Sequence, residues 1–274
     1  MTRRLHLLIT SSLAGLALVS IAGCGNGKPN QAGPEATPTT AVDASPTAAA
    51  AVSRAVAVYY VADAGPAGVR LYREFHSRGA TKEVIRNAVE AMINEPPIDP
   101  DYRSLWPKSA KVLGITTQGD VATVDMGAAP DAPTQQAIQQ MVWTVTAASG
   151  TITKVEIRVN GQPLTPAPVA RGSSTAVLGP VWVSSPTEAG SVPRTFTMAG
   201  EATVFEATVS WEVRQGTTVV RHGFTTASVG GPGRGTWHLS ISLPSAGNYQ
   251  LIAYEASAKD GSRLFADTKS VIVR

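Results

Sequence analysis

The 274-residue sequence predicts an α+β domain, a small sheet with two helices, followed by an all-β immunoglobulin-like sandwich. Three observations lead there. Between residues 54 and 165, β-rich runs alternate with two stretches of helical periodicity. From 181 to 274, apolar and polar residues alternate with period two and no helical repeat is convincing. Ahead of both, residues 25–53 hold no aromatic, Leu, Ile or Met, so this part buries too little apolar surface to order itself.

At the N-terminus, "MTRRLHLLIT" sets Arg3 and Arg4 before a mostly apolar run from Leu5 to Ile21. These are the charged and apolar regions of a secretory signal, and the run is short for a membrane span. Ile21, Ala22 and Gly23 then precede Cys24, the only cysteine. A lone Cys makes no internal disulfide, and metal sites need several ligands. The stretch resembles the bacterial lipobox, which implies cleavage between Gly23 and Cys24 and a diacylglyceryl thioether on Cys24. Small residues at Ala22 and Gly23 suit the peptidase, and only a thiol gives the thioether. The alternative is an incidental Cys after an ordinary signal peptide. His6 fits twin-arginine export poorly, which favours the general secretory route.

Residues 1–23 are thus expected to be a lipoprotein signal peptide, and 24–53 a lipidated Cys with a disordered tether. Two acyl chains suffice for stable anchoring. The expected location is extracytoplasmic, lipid-anchored to the cell membrane, with the membrane a partner through Cys24. Coil statistics give the tether a typical span of about 30 Å, and full extension is on the order of 100 Å. Its Ala-rich end, "TAAAAVSRAV", leaves a short helix as the minor reading. Without Arg3 and Arg4, the 23 basic residues become 21 against 20 acidic, and nothing in so balanced a chain suggests a nucleic-acid partner.

Residues 54–165 form the first expected domain. "AVAVYYVA" (55–62) is a β-rich run that can pair with "RLYREFH" (70–76) across "DAGPAG". Val84, Ala88 and Ala91, flanked by Ile85, Val89 and Met92, recur at helical spacing until Pro96-Pro97 stops the helix. "KVLGITT" and "DVATVDM" flank Gln118-Gly119, a hairpin signal because Gly accepts positive φ. A second helix fits 134–148, with Thr134 as N-cap and Ile138, Met141, Val142 and Val145 on one face. "KVEIRVN" is the last strand, closed by Asn160-Gly161. The order implies two helices on one face of a small sheet.

A linker is expected at 166–180, within "LTPAPVARGSSTAVLGP", before the second domain at 181–274. There, "VFEATVSWEVRQ" places Phe205, Ala207, Val209, Trp211 and Val213 on one side and Glu206, Thr208, Ser210, Glu212 and Arg214 on the other. "TWHLSISLP" does the same with Trp237, Leu239, Ile241 and Leu243 inward. Further strands fit 181–183, 196–202, 218–225, 249–257 and 268–273. About seven short strands without a disulfide make the sandwich. No repeat period suggests a solenoid or propeller.

Residues of catalytic type are scattered. His76, His222 and His238 fall in no G-x-S-x-G or H-E-x-x-H context and are expected to be solvated. "GGPGRG" (230–235) lacks the lysine and the following helix of a phosphate cradle, so a loop is expected. The acids of "DPD" (99–101), beside Tyr102, are expected in a solvated loop and not as a glycosidase pair. Trp106 and Trp143 are expected to pack, with stacking on sugars the alternative. No catalytic residue, cofactor or metal is assigned.

Taken together, the pieces resemble a known pair of domains. "AVAVYYV", "LWPKSAKVLGITTQGDVATVDM", "QQMVWTVT" and "VEIRVNGQP" are similar to the GerMN (sporulation and spore germination) domain. "VSSPTEAGSVPRTFTMAGEATVFEATVSWEV" and "YEASAKDGSR" resemble the immunoglobulin-like Gmad2 domain. The resemblance implies a secreted, non-enzymatic interaction protein of the cell envelope, an adaptor or assembly module for another envelope protein. A binder of cell-wall glycan or another envelope ligand is the alternative. GerMN domains also occur in lipoproteins of bacteria that make no spores, so germination itself does not transfer.

Overall fold

A computed structural model describes residues 53–80, 82–132 and 134–274. The signal-peptide boundary at Gly23 and Cys24, and nearly all of the expected tether, lie outside the described residues. Strands β1 (Ser53–Asp63) and β2 (Val69–Gly79) pair antiparallel from Ser53 with Gly79 to Asp63 with Val69. A 3₁₀ turn at Gly65–Ala67 closes the loop, with Gly65 and Gly68 at positive φ. The helices are α1 (Val84–Asn94) and, after the β3–β4 hairpin, α2 (Gln135–Ala148). Thr134 caps α2 by accepting from Ala137 N at 3.3 Å.

Strands β3 (Val112–Gln118) and β4 (Val121–Met126) form the hairpin signalled by Gly119, which sits at φ 58°. Strand β5 (Lys154–Val159) pairs parallel to β4, with α2 in the crossover. Asn160 and Gly161, both at positive φ, turn it into β6 (Gln162–Pro163). The expectation of one small sheet is corrected here: the strands divide between a two-stranded ribbon, β1-β2, and a sheet ordered β3-β4-β5-β6. Both helices pack on β1, while α1 also meets β3 and α2 meets β5. This is why β1 is buried on both faces from Val58 to Ala62 and does not alternate.

The expected linker is structured. Within 166–180, β7 (Val169–Ala170) joins β5, and a short helix α3 (Ser174–Val177) leads to Leu178, which is buried in the first core. The second domain holds β8 (Val181–Ser185), β9 (Gly190–Val192), β10 (Thr195–Ala202), β11 (Thr208–Gln215), β12 (Thr218–Thr226), β13 (Gly235–Ser242), β14 (Gly247–Ala256) and β15 (Arg263–Val273). They form two sheets, β13-β10-β8 and β12-β11-β14-β15-β9, around a separate core containing Val209, Val213, Trp237, Ile241 and Leu251.

The expected strand phase fails at its first residue. Phe205 is 70% exposed, because Phe205–Ala207 form a 3₁₀ turn in which Glu206 and Ala207 take positive φ before β11 begins. Val209 and Val213 face inward as the alternation requires, whereas Trp211 is only half-buried. Trp237 and Ile241 are buried on the expected face.

Candidate interaction surface at the domain junction

The described residues from 53 to 274 belong to one compact unit, and the two cores meet along β2, the segment after α1, β8 and β15. Pro96-Pro97 ends α1 and turns the chain into the loop that carries Asp99 and Tyr102. From the other domain, β15 sends Asp267 and Lys269 inward on the same parity as Val271 and Val273. All four polar residues are buried.

They form one chain of hydrogen bonds. Lys269 Nζ pairs with Asp99 and donates to Tyr102 Oη at 2.8 Å. Tyr102 Oη donates to Asp267 Oδ1 at 2.9 Å, and Val183 N donates to Oδ2 at 2.6 Å. Burying single charges here would cost several kcal/mol each, so the pairing is what makes the junction tolerable. Burial raises Asp267 to about 6, against the lowering effect of Lys269 and the Val183 amide. Burial, with Asp267 and Asp99 nearby, also holds the Tyr102 hydroxyl well above its ordinary value.

Beside this chain, Glu74 accepts from the amides of Ile98 and Asp99 at 2.9 and 2.8 Å. His76 lies between Glu74 (3.1 Å) and Glu95 (2.7 Å). Burial lowers the affinity of His76 for its proton, but the two carboxylates outweigh it and the imidazole is raised overall. A second contact centres on Trp182 of β8, which packs into the first core. The Arg234 guanidinium stacks 4.1 Å from its ring centroid and pairs with Glu201 at 2.9 Å, and Glu201 also binds Arg73 at 3.1 Å.

Two expectations are corrected by this geometry. Asp99 of the "DPD" stretch is not solvated but paired inside the junction, and His76 is 6% exposed and bridged by two carboxylates. His222 and His238 are exposed, and Trp106 and Trp143 are buried, Trp106 donating to Ala137 O at 2.9 Å. "GGPGRG" joins β12 to β13 as a loop, with Arg234 as its structural residue. Sequence reasoning missed Asp267 and Lys269 as partners. The available signal was two charges on the inward parity of a strand.

Two large apolar side chains remain open at the junction. Phe75 (52% exposed) and Ile98 (44%) line a groove together with Arg73, Ser184, Thr187 and Glu188. Among the described residues, no group of three or more His, Cys, Asp or Glu is placed to hold a metal, and no helix is long and apolar enough to cross a membrane.

Residues 57–165 match the family described as sporulation and spore germination, and residues 180–262 match the immunoglobulin-like domain of bacterial spore germination. The tandem GerMN domains of the sporulation protein GerM from Bacillus subtilis are similar at 13% identity, over 71% of this chain and 62% of that one, with a TM-score of 0.37. This chain therefore spans less than two thirds of that structure. A candidate lipoprotein from Clostridium perfringens is similar at 15% identity, over 43% of this chain and 87% of its own, with a TM-score of 0.28. Comparison with curated proteins finds no match.

Proposed function

Because the chain joins a GerMN domain to an immunoglobulin-like Gmad2 domain, we propose that it is a non-catalytic adaptor of the cell envelope, lipid-anchored through Cys24, that binds another envelope protein. The observation that carries this reading is the junction. Asp99, Lys269, Tyr102, Asp267, Glu74 and His76 are committed to one another and to backbone amides. Beside them Phe75 and Ile98 are left exposed among polar groove residues, and such a mixed surface suits a protein partner. The anchor reading rests on the residues around Cys24 and on the two lipid chains that its thioether supplies.

A photo-crosslinking residue at Phe75, introduced into the full chain in its native cells, tests the adaptor reading. A discrete envelope protein, captured at Phe75 and not at an exposed control such as Thr236, is the expected product. Capture of glycan strands alone would overturn it. One observation favours that second reading: Phe205 and Phe224 of the sandwich are 70% and 74% exposed, and exposed aromatic rings stack on sugars.

A further inference from the structure

We infer that the outer edge of β3 accepts an extended segment of a partner protein as an added strand, a β-forming stretch flanked by acidic residues. This rests on the adaptor reading and specifies one contact by which the partner is held.

The other sheet edges are occupied, short or charged, β2 among them, which carries Arg70, Arg73, Glu74 and Arg78 and is bridged at Leu71 by Leu178. On β1, Thr144 Oγ1 accepts from the Tyr59 amide at 3.1 Å and Gln140 Nε2 donates to the Tyr59 carbonyl at 2.9 Å, so α2 closes that edge. On β8, Asp267 takes the Val183 amide. On β13, Thr225 donates to the His238 carbonyl at 3.2 Å. Strands β6 and β9 have two and three residues, and β12 carries Arg221 and His222. Edges guarded in these ways resist pairing with another chain.

Strand β3 differs. It ends the order β3-β4-β5-β6, and "VLGITTQ" contains no charge and no proline. Its guards are confined to its start: a bulge between Val112 and Gly114, and Arg86, which donates to the Val112 carbonyl at 3.3 Å. Beyond that point, the two-residue turn makes Gln118 and Val121 a pair that exchanges both hydrogen bonds, as do Thr116 and Thr123. The N–H and C=O of Ile115 and Thr117 therefore point away from β4, and among the described residues no backbone group bonds to them. Leu113, at the start of the edge, is 53% exposed.

The surroundings give the guest its chemistry. Ile115 and Thr117 share a groove with Lys82, Glu83, Val84, Ile85 and Arg86, and Glu83 is paired with Arg86, so alternate side chains of an added strand would enter a slot lined by Ile115, Val84 and Ile85 with Lys82 at its rim. Arg86 is engaged by Glu83 and Glu90. Lys82 and Lys111 are exposed and make no ion pair among the described residues, one lining the groove beside Thr117 and the other directly before β3. Backbone pairing supplies affinity, and two lysines select a guest with acidic flanks.

The test uses the full lipidated chain in detergent. The probe is a soluble peptide of alternating Thr and Val with Glu at both ends, titrated to millimolar concentration while amide exchange is followed by NMR. Saturable binding that slows exchange at Ile115 and Thr117 by at least about tenfold is expected. Thr117→Pro removes an outward N–H without touching the ladder to β4 and should abolish the slowing. In the folded double variant Lys82→Glu and Lys111→Glu, preference should switch to a Lys-ended peptide. Protection elsewhere, equal binding of both peptides, or protection that depends on protein concentration without peptide would overturn the inference, the last because the edge would then pair with a second copy. If a protein captured at Phe75 leaves the β3 amides exchanging freely, the adaptor reading stands and this inference falls. If nothing is captured at Phe75 either, both fall.

Discussion

The Tyr102 hydroxyl, from the first domain, donates across 2.9 Å to Asp267 of the second while accepting from Lys269 at 2.8 Å. One phenol thus ties together two residues of β15 that lie two apart, and the tie spans the cores. Tyr102→Phe keeps the ring and leaves Asp267 and Lys269 each short of a partner. It should cost about 1 to 3 kcal/mol, measured by denaturant unfolding of the full chain.

Lys269→Met should cost more, about 3 to 5 kcal/mol, because Asp99 is then buried without its cation. Adding Asp99→Asn should recover part of that loss. A double-mutant cycle on unfolding checks this, and strict additivity would mean that the pair is not coupled.

The pH dependence follows from the same residues. Asp267 titrates at about 6 in the fold, against about 3.9 for a free aspartate. Between those values the folded chain holds a proton that the unfolded chain lacks, so stability rises as pH falls through this window, by on the order of 3 kcal/mol. His76 is also raised: its contribution is complete below the unfolded value of about 6.5 and is lost as pH rises through the folded one. Melting temperature should therefore climb from pH 8 to about 5. Asp267→Asn should flatten the acid part of the climb, below about pH 6.

Packing in the sandwich gives a separate comparison. Trp237→Ala should cost about 3 to 5 kcal/mol, whereas exposed Phe205→Ala should stay within about 0.5. Trp211→Ala should fall between them, as its ring is half-buried against Gly223.

A pair of glycines tests close approach. A Cβ on Gly200 would lie 1.9 Å from the Trp182 carbonyl oxygen and 2.6 Å from the Trp237 ring, so Gly200→Ala should cost about 3 kcal/mol. Gly114 has nothing within 4 Å and negative φ, and Gly114→Ala should be nearly neutral in the same melts.

Periodicity made most elements legible in the sequence, because each buries one face: α1 through Ile85, Ala88 and Met92, and β13 through Trp237 and Ile241. It failed where tertiary structure overrides local pattern. The buried Thr144 and Gln140 look like solvent-facing helix residues, yet they satisfy the β1 edge. Residues 166–180 read as a linker because α3 is too short to show a period. The junction was hidden for a different reason. Asp99 and Lys269 are separated by most of the chain, and a buried ion pair leaves no local trace in either segment.

Anchoring makes a second binding event effectively intramolecular, which raises apparent affinity by about 10²- to 10⁴-fold without new contacts. The most direct measurement compares the full chain with a form exported by an ordinary cleavable signal and lacking Cys24, both carrying the crosslinker at Phe75. The released form should fold with an unchanged melting temperature yet capture only a small fraction of the membrane-associated partner. Equal capture by the released form at native expression level would contradict the lipid-anchored adaptor.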